Sequence, residues 1–365
     1  MADPKLLRTP LFDAHRAAGA RLVAFAGYEM PIQYAGVIEE HRNVRSRVGL
    51  FDVSHMGEVF FEGSRATEVV DRIVTNHVGR LADGQACYTV MCRPDGGILD
   101  DLVVYKFDSS KLMICVNAAT RTKDVEWMKS QAGSDCEVRD ESAAWAQIAV
   151  QGPAAAELIR RICEPDPTTL VSYRFLEGRA AESSAIIART GYTGEDGFEL
   201  YVPAASAEQV WDRLMDKGGD LGVAPAGLGA RDSLRLEMCF PLYGQDIDET
   251  TNPYEAGLGW VVKLQKPSDF VGRAALEGLK GAGPKRKLTP LMIEGRGIAR
   301  AGYDVLENGR AIGKVTSGTK GPSVDRAIAL AFVPIDLAKE GTELAVAIRN
   351  TLVSARVVKR PFLQR

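Results

Sequence analysis

The stretch YTVMCRPDGGILDDLVVYKF (88–107) decides the fold class. Its two halves, YTVMC (88–92) and ILDDLVVYKF (98–107), are rich in the β-branched and aromatic residues typical of strands. The RPDGG segment between them contains the Asp-Gly and Gly-Gly pairs that favour a tight turn. The stretch therefore predicts an antiparallel β-hairpin, which carries Asp100 and Asp101 inside its second strand.

Patterns of both strand and helix flank this hairpin. Two more strand-type runs are KLMICVN (111–117) and FELYV (198–202). Helical patterns begin at three places: Thr9-Pro10, about residue 64, and Ser206. Antiparallel strands with packed helices, without a regular βαβ alternation, predict an α+β fold.

The helix from Ser206 has the clearest end signals. Ser206 and Gln209 have the spacing of a capping box, and Gly218 ends the helix. The hydroxyl of Thr9, directly before a proline, predicts an N-cap for the first helix. The remaining helical segment is expected over about 64–78.

A change of composition separates the last part of the chain. GLKGAGPKRK (278–287), rich in Gly, Pro and Lys, is interpreted as a linker. After it short β-type runs recur, and Asn308-Gly309 predicts a type I′ hairpin turn. We therefore expect one region over 1–280 and a separate β-barrel or sandwich domain over 286–365.

The composition excludes several classes of protein. The 365 residues indicate two or three domains, and a net charge of -3 lacks the basic excess of nucleic-acid binders. No apolar run approaches the ~18 residues that a membrane span needs. The N-terminal sequence MADPKLLRTPLF has no signal-peptide or transit-peptide pattern, so we expect a cytoplasmic protein with no membrane partner.

The cysteines and histidines do not predict a metal site. The six cysteines form no CxxC pair and mostly lie in apolar stretches, so we interpret them as buried small hydrophobes. The four histidines, His15, His41, His55 and His77, lack the spacing of metal ligands.

Alternation along ILDDLVVYKF places the two aspartates on opposite faces of one strand. Both faces are otherwise apolar, so at least one carboxylate lies where a buried charge is costly unless it is paired. Asp100 is nearer the turn and is interpreted as a cap of Gly96-Gly97. A buried carboxylate at Asp101 instead favours a functional site.

Two Gly-rich stretches carry further charged residues. In GYTGEDGFELYV (191–202), Glu199 alone is interpreted as solvent-facing, and Tyr192 as an ordinary loop aromatic. GLGARDSLRLEMCF (227–240) fails the dinucleotide fingerprint, because Asp232 stands at the third glycine and no strand is predicted before it. Its Arg231 and Asp232 are equally compatible with a local ion pair and with a ligand contact.

Seven stretches taken together resemble the glycine cleavage T-protein (aminomethyltransferase) family. They are RTPLFDAH, FAGYEMPIQY, LFDVSHMGE, GGILDDLVVYK, RTGYTGEDGFELYV, PAGLGARDSLRLE and LYGQDIDETTNPYEAGLGW. The stretches occur in the family's order between residues 8 and 263, and the C-terminal KRPF also fits.

The resemblance implies a cloverleaf of two interleaved α+β domains with antiparallel sheets, plus a C-terminal β-barrel domain. Region 1–280 is then the folate-binding catalytic part. It also implies transfer of a methylene carbon from the aminomethyl-lipoyl arm of H-protein to tetrahydrofolate, with release of ammonia and formation of 5,10-methylenetetrahydrofolate. Tetrahydrofolate acts as a cosubstrate, and no metal is implied.

Residue roles follow from the same resemblance. Asp101 matches the catalytic aspartate that faces N10 of the folate, Glu199 the carboxylate that binds the pterin ring, and Arg231 another folate contact. The remaining expected ligand-binding positions are Met56, Tyr88, Asn117, Tyr173 and Tyr192.

Two positions depart from the pattern of some relatives. Phe240 stands where they have tyrosine, and Gln364, followed by Arg365, stands where they have arginine. Two alternative functions are a folate-dependent demethylase of the same superfamily and a non-catalytic folate-binding factor of iron–sulfur assembly. The KGCYxGQE-type motif of the latter is absent from the sequence.

Overall fold

The computed structural model describes residues 6–349 and 351–364. The chain divides into two compact units. The first comprises the described chain up to Asp71, with His77–Tyr88 and Leu102–Arg231. The second comprises Arg72–Asn76, Thr89–Asp101 and the described chain from Asp232 onward. The chain therefore passes between the units several times.

Eight α-helices lie in the described part of the chain. They are α1 (Phe12–Ala17), α2 (Val37–Ser46), α3 (Ala66–Ile73), α4 (Arg121–Ala132), α5 (Ala155–Arg160), α6 (Ala207–Lys217), α7 (Leu228–Glu237) and α8 (Arg273–Ala282). None of the described helices is long and apolar enough to cross a membrane.

The described strands number twenty. The first ten are β1 (Arg21–Phe25), β2 (Tyr28–Gln33), β3 (Val48–Asp52), β4 (Gly57–Glu62), β5 (Gln85–Cys92), β6 (Ile98–Lys106), β7 (Lys111–Val116), β8 (Glu137–Asp140), β9 (Trp145–Gln151) and β10 (Cys163–Glu164). The others are β11 (Phe175–Ala180), β12 (Ser183–Ala188), β13 (Gly197–Pro203), β14 (Val223–Pro225), β15 (Arg286–Ile293), β16 (Asp304–Glu307), β17 (Arg310–Gly321), β18 (Arg326–Pro334), β19 (Glu343–Ile348) and β20 (Thr351–Val357).

A seven-stranded sheet organises the first unit. Its order is β10-β11-β12-β13-β9-β3-β14, antiparallel except for the edge pair of β14 with β3. A five-stranded sheet has the order β5-β6-β7-β4-β8. Strands β5 and β6 are neighbours in it, so the hairpin predicted from residues 88–107 is confirmed. The α+β class is confirmed as well.

Two apolar layers cover the seven-stranded sheet within the first unit. One contains buried side chains of α5 and α6, such as Leu158 and Trp211, packed with Ile148 and Leu200 of the sheet. The other contains aromatic and sulfur side chains from both sheets, including Tyr105, Cys115 and Tyr201. Since strand side chains alternate, each strand supplies both layers. Glu199 precedes Tyr201 by two residues on β13, so it lies on the face of that strand that supplies the second layer.

The second unit contains a closed six-stranded barrel of order β15-β18-β17-β16-β19-β20. Strand β20 pairs back to β15, with Leu291 opposite Val357, and closure leaves no free sheet edge. The turn between β16 and β17 has positive φ at both Asn308 (50°) and Gly309 (80°), the type I′ geometry predicted from this pair. A C-terminal β-barrel is therefore confirmed.

A buried ion pair anchors α7 to the barrel inside this unit. Arg235 is 1% exposed, and its guanidinium lies 2.5 Å from Asp246 and 2.8 Å from the Ser317 hydroxyl of β17. Asp232 contacts the same guanidinium at 2.7 Å. Three partners satisfy a cation that would be costly to bury alone. The ion pair of Asp232 is thus with Arg235.

Several local predictions need correction. Helix α6 ends at Gly218 as expected, but Ser206 makes no side-chain cap, and Gln209 binds the Ala181 carbonyl. The hydroxyl of Thr9 does not cap α1, because it donates to buried Asp52 at 2.6 Å. In both cases a tertiary hydrogen bond replaces the local one.

Two further segments differ from the sequence-based expectation. The helix expected over 64–78 is only α3, because the chain then bridges Val74 to Met91 of β5. The linker expected over 278–287 is largely structured, since α8 extends to Ala282 and β15 begins at Arg286. Arg365, which follows Gln364 at the C-terminus, lies outside the described residues.

Candidate active site

Glu199 is the centre of the candidate site in the first unit. It lies on β13, where its neighbours Phe198 and Leu200 point into the apolar core. One carboxylate oxygen accepts from Gln147 Nε2 at 2.9 Å, and the other accepts from the Thr190 hydroxyl at 2.5 Å. Glu199 is partly buried, so it is neither fully exposed nor enclosed in the core. Its interpretation as simply solvent-facing was wrong.

The surroundings of Glu199 set its charge. Burial is the largest influence and raises the pKa of Glu199 above its ordinary value. The Thr190 hydroxyl, the positive charge of Arg231 and the Gln147 amide all act in the opposite direction. A carboxylate in this position is desolvated yet supplied with donors, which is typical of a group that binds a specific ligand.

The loop before β13 is held in a defined shape. The Thr193 hydroxyl donates to Gln151 Oε1 at 2.9 Å, and Arg45 contacts Glu195 at 2.9 Å. A Cβ atom at Gly191 would lie 2.0 Å from Gln151 Oε1, so only glycine permits this approach. These contacts fix the backbone on both sides of Tyr192.

Arg231 and Tyr192 contact each other directly. The guanidinium carbon of Arg231 lies 4.5 Å from the centroid of the Tyr192 ring, within the range of a cation–π interaction. Arg231 also lowers the pKa of His55, after the larger effect of burial, to about 4. His55 is therefore a neutral imidazole at pH 7, in edge-on contact with Phe25 and Tyr28.

Met56 and Tyr173 lie in the same unit. Met56 packs against the aromatic layer that contains Tyr105 and Tyr201. Tyr173 has a φ of 60°, a left-handed conformation that non-glycine residues seldom adopt. Two backbone hydrogen bonds hold it there: its carbonyl accepts from the Ala86 N–H at 2.8 Å, and its N–H donates to the Arg189 carbonyl at 3.0 Å. Strained residues of this kind often accompany functional sites.

Tyr88 and Asn117 also lie in the first unit. Tyr88 is partly buried on β5, and it is the last residue of the segment His77–Tyr88 that belongs to the first unit. Asn117 directly follows β7, and its carbonyl accepts from the backbone N–H and the hydroxyl of Thr120 at the start of α4.

The two aspartates of β6 differ in burial. Asp100 is fully buried at 0% exposure, whereas Asp101 is only partly buried. Asp95 caps the preceding turn by accepting from the Gly97 N–H at 3.1 Å. The more deeply buried aspartate is therefore Asp100 and not Asp101, contrary to the expectation. Asp101 belongs to the second unit, unlike the other seven expected site residues.

Sequence reasoning missed another buried carboxyl, Glu58 of β4. It is 1% exposed, and neither carboxyl oxygen has a hydrogen-bond partner among the described residues. Burial, followed by the charge of Asp140, raises the pKa of Glu58 well above its ordinary value and so favours its neutral form. The motif LFDVSHMGE contains Glu58, but nothing in that motif reveals its burial.

Gln147 and Thr190 were also missed as partners of Glu199. Thr190 lies within the RTGYTGEDGFELYV motif, so its proximity was readable in principle. Gln147 lies on β9 opposite Tyr201 of β13. That register joins residues 54 apart in sequence and leaves no local signal.

The cysteines are placed as expected for structural residues. All six are free thiols, and four of them, Cys92, Cys115, Cys163 and Cys239, are buried. Burial raises the pKa of Cys163 to about 12 and that of Cys239 to about 11, so these thiols are poor nucleophiles. The described residues contain no cluster of three or more His, Cys, Asp or Glu suited to a metal ion.

Two family models match this chain. Residues 11–266 match the GCVT N-terminal domain, and residues 286–364 match the glycine cleavage T-protein C-terminal barrel domain. Together the two matches cover nearly the whole sequence.

Relatives of known name are similar along their full length. An aminomethyltransferase from Halothermothrix orenii is 47% identical over 98% of this chain and 99% of that protein. One from Rubrobacter xylanophilus is 49% identical over 100% of this chain and 96% of its own length. The crystal structure of glycine cleavage system aminomethyltransferase T from Bartonella henselae superposes with a TM-score of 0.93, at 35% identity and 98% coverage of both chains.

Proposed function

Because this chain belongs to the glycine cleavage T-protein family and is thereby an aminomethyltransferase, we propose that tetrahydrofolate is its acceptor and lipoylated H-protein its donor. The carbon–nitrogen bond of the aminomethyl-lipoyl arm breaks, and the amine leaves as ammonia. The carbon–sulfur bond breaks as well, and the methylene carbon becomes bonded to N5 and N10 of tetrahydrofolate. The two protons that N5 and N10 lose pass to the departing ammonia and to the lipoyl sulfur, so the lipoyl arm is left as the dithiol. Carbon, nitrogen and electrons balance without an added oxidant.

The domain arrangement is part of the proposal. Residues 1–280 would form the folate-binding catalytic region of two interleaved α+β domains, and 286–365 the C-terminal barrel domain. The beginning of β15 at Arg286 supports the second boundary. The antiparallel sheets of the first unit support the α+β character of the first region.

The observation that carries the folate assignment is the carboxylate of Glu199. Each of its oxygens is held by one donor, which leaves a further lone pair on each for a ligand. A planar ring edge with two N–H groups, such as that of a pterin, matches this pair of acceptors. Partial burial strengthens such bonds, because water competes for them less.

The aromatic and cationic neighbours fit the same ligand. Arg231, stacked on Tyr192, supplies a fixed positive charge suited to an anionic or electron-rich part of folate. Met56 and Tyr173 supply apolar and aromatic wall surface, and we assign Tyr88 and Asn117 to the wall as well. The neutral side chain of His55 adds no competing positive charge beside Arg231.

Asp101 is proposed as the catalytic residue. As ammonia leaves, positive charge develops on the methylene donor, and a preorganised carboxylate stabilises such charge better than water does. Asp101 would face N10 and aid attack by the amine. Its partial exposure on β6 is compatible with contact to a substrate.

The proposal is tested by a turnover assay with aminomethylated H-protein. Ammonia release should require tetrahydrofolate and should continue in the presence of a metal chelator. Formaldehyde release from a methylated amine or sulfonium, with no activity on H-protein, would instead favour a folate-dependent demethylase. A cytoplasmic location also stays a proposal, which cell fractionation tests.

A further inference from the structure

Five side chains of the first unit form a closed ring of hydrogen bonds around the Glu199 carboxylate. In order, the ring contains Glu199, Gln147, Tyr201, Tyr105 and Thr190. The joining distances are 2.9, 3.1, 2.9, 3.5 and 2.5 Å. Glu199 is the only ring member that is partly exposed, because the other four are at most 7% exposed. The ring therefore has one face that a ligand can reach.

The Gln147 amide has a defined donor and acceptor role in the ring. Its Oε1 accepts a hydrogen bond from the Cys115 thiol, with Sγ at 3.6 Å, and this contact orients the amide. Both N–H groups of Nε2 are then donors, one to Glu199 and one to the Tyr201 hydroxyl. Gln147 thus donates into the ring on both sides.

The two tyrosine hydroxyls and Thr190 also have defined donor and acceptor roles. The Tyr201 oxygen accepts from Gln147, so its single proton goes to the Tyr105 oxygen. Tyr105 in turn donates to Thr190, and Thr190 donates to Glu199. Two chains of donated hydrogen bonds therefore start at Gln147 and end at the Glu199 carboxylate, one directly and one through Tyr201, Tyr105 and Thr190. Aligned hydrogen bonds strengthen one another in a medium of low polarity.

Packing holds the two phenol groups in place. The Tyr105 and Tyr201 rings meet edge to face at 5.5 Å and 75°, and Tyr105 meets Phe175 in the same way at 5.4 Å. Their hydroxyls cannot turn away without disturbing this layer. The ring is thus a rigid support and not a set of adaptable polar contacts.

We propose that Thr190 and Gln147 are positioning residues that orient Glu199 as a twofold acceptor for the ligand, and that Tyr201 and Tyr105 act through them. This inference rests on the proposed function, because it assigns the ligand of Glu199 as folate. It adds residues that do not themselves touch the ligand. Their effect on affinity is exerted through the charge and the orientation of one carboxylate.

Several charged or titratable groups face this carboxylate from the surrounding elements. They are Arg231 of α7, Glu58 of β4, Cys115 of β7, Tyr105 of β6, Tyr201 of β13 and Tyr173 before β11. Only Arg231 among them is a cation. Loss of a ring donor therefore leaves Glu199 with less compensation for its burial, and a larger part of the protein carries it protonated.

The experiment measures binding of 5-formyltetrahydrofolate to the full chain by calorimetry between pH 5.5 and 9. Thr190→Val keeps the shape of the side chain and removes its donor. We expect Kd at pH 7 to rise on the order of tenfold, as for loss of a hydrogen bond to a charged group. The loss should shrink as pH rises, because high pH restores the Glu199 carboxylate. Thr190→Ser should restore the wild-type pH profile.

Matched variants separate positioning from general damage. Thr289→Val removes another buried hydroxyl, which donates to the Lys287 carbonyl in the barrel, and it should bind the ligand normally. Tyr105→Phe should weaken binding about threefold, less than Thr190→Val, since it acts one bond farther away. Melting temperatures confirm that each variant is folded.

The outcomes distinguish this inference from the proposed function. If the wild-type chain does not bind the folate, the proposed function fails. If it binds, and Glu199→Gln binds poorly while Thr190→Val binds like wild type at every pH, only the positioning role is overturned. A loss in Thr190→Val that is equal at all pH values, with no rescue by Thr190→Ser, also overturns it.

Discussion

The guanidinium of Arg231 lies 4.5 Å above the ring of Tyr192, and its charge reaches both Glu199 and His55. The loop contacts that fix Tyr192 therefore also fix the electrostatics around the candidate site. One cation–π contact is worth about 0.5–2 kcal/mol, depending on how far it is desolvated. The effect of the Arg231 charge on the pKa of its neighbours can be measured separately from ligand binding.

The pKa of His55 should respond to Arg231. In the wild type it is about 4, lowered first by burial and then by Arg231. Arg231→Gln removes the like charge, so the pKa of His55 should rise while it stays below the ordinary 6.5 because burial remains. An NMR titration of the four imidazoles measures this, and the other three histidines act as internal controls. An unchanged His55 titration would show that Arg231 does not face it.

Glu199→Gln should reduce stabilisation by tetrahydrofolate. A ligand that binds only the folded state stabilises it by RT ln(1 + [L]/Kd), ~2.7 kcal/mol at a hundredfold excess over Kd. Replacing the carboxylate weakens hydrogen bonds to a charged group, worth roughly 1.5–3 kcal/mol. The ligand-induced rise in Tm should therefore largely disappear. A rise equal to that of the wild type would exclude contact between Glu199 and the ligand.

Glu58 should make the protein less stable as pH rises. Its pKa in the folded state lies well above the ordinary 4.5 of the unfolded chain, mainly because of burial. Above pH 4.5 the unfolded chain loses this proton first, so ionisation favours unfolding until the folded-state pKa is passed. Glu58→Gln should remove this dependence, worth up to about 1.4 kcal/mol per pH unit.

The comparison is between denaturant unfolding curves of the wild type and Glu58→Gln from pH 5 to 8. Glu62→Gln, on the same strand, is the matched control, because Arg139 lowers the pKa of Glu62. The difference in unfolding free energy between the wild type and Glu62→Gln should not change with pH in the way expected for Glu58→Gln. Parallel pH profiles for wild type and Glu58→Gln would mean that Glu58 is ionised in the folded protein.

The neighbouring aspartates should have separable roles. Asp100 is fully buried, so Asp100→Asn should mainly lower stability, by about 1–3 kcal/mol, with little change in turnover per folded molecule. Asp101→Asn should instead lower the single-turnover rate by roughly a hundredfold, as when one preorganised electrostatic group is lost. Its folate-induced rise in Tm should survive. Loss of catalysis in Asp100→Asn alone would reverse the assignment.

Local sequence predicted what depends on neighbours in the chain. The hairpin over 88–107, the Asn308-Gly309 turn and the end of α6 at Gly218 each follow from residues a few positions apart. The helix caps predicted at Thr9 and Ser206 were wrong. In the folded protein the Thr9 hydroxyl donates to Asp52, and the Ser206 side chain makes no capping hydrogen bond.

The candidate site was predictable only in part for the same reason. Glu199 and Arg231 stood out through the family resemblance, and the structure places both in one unit with Tyr192. The ring around Glu199 depends on the pairing of β13 with β9, which puts Gln147 opposite Tyr201. Such a register is set by the whole sheet and not by any local pattern. The burial of Asp100 in place of Asp101 was likewise invisible in an alternating strand.

The most direct test of the central claim follows the transferred carbon. H-protein carrying a ¹³C-labelled aminomethyl group is mixed with this protein and tetrahydrofolate, and the label is observed by NMR. We predict that the label appears in the methylene bridge between N5 and N10, with one ammonia released per label, and that Asp101→Asn slows this roughly a hundredfold. Label that stays on the lipoyl arm, or that is released as free formaldehyde at the same rate without tetrahydrofolate, would contradict the account.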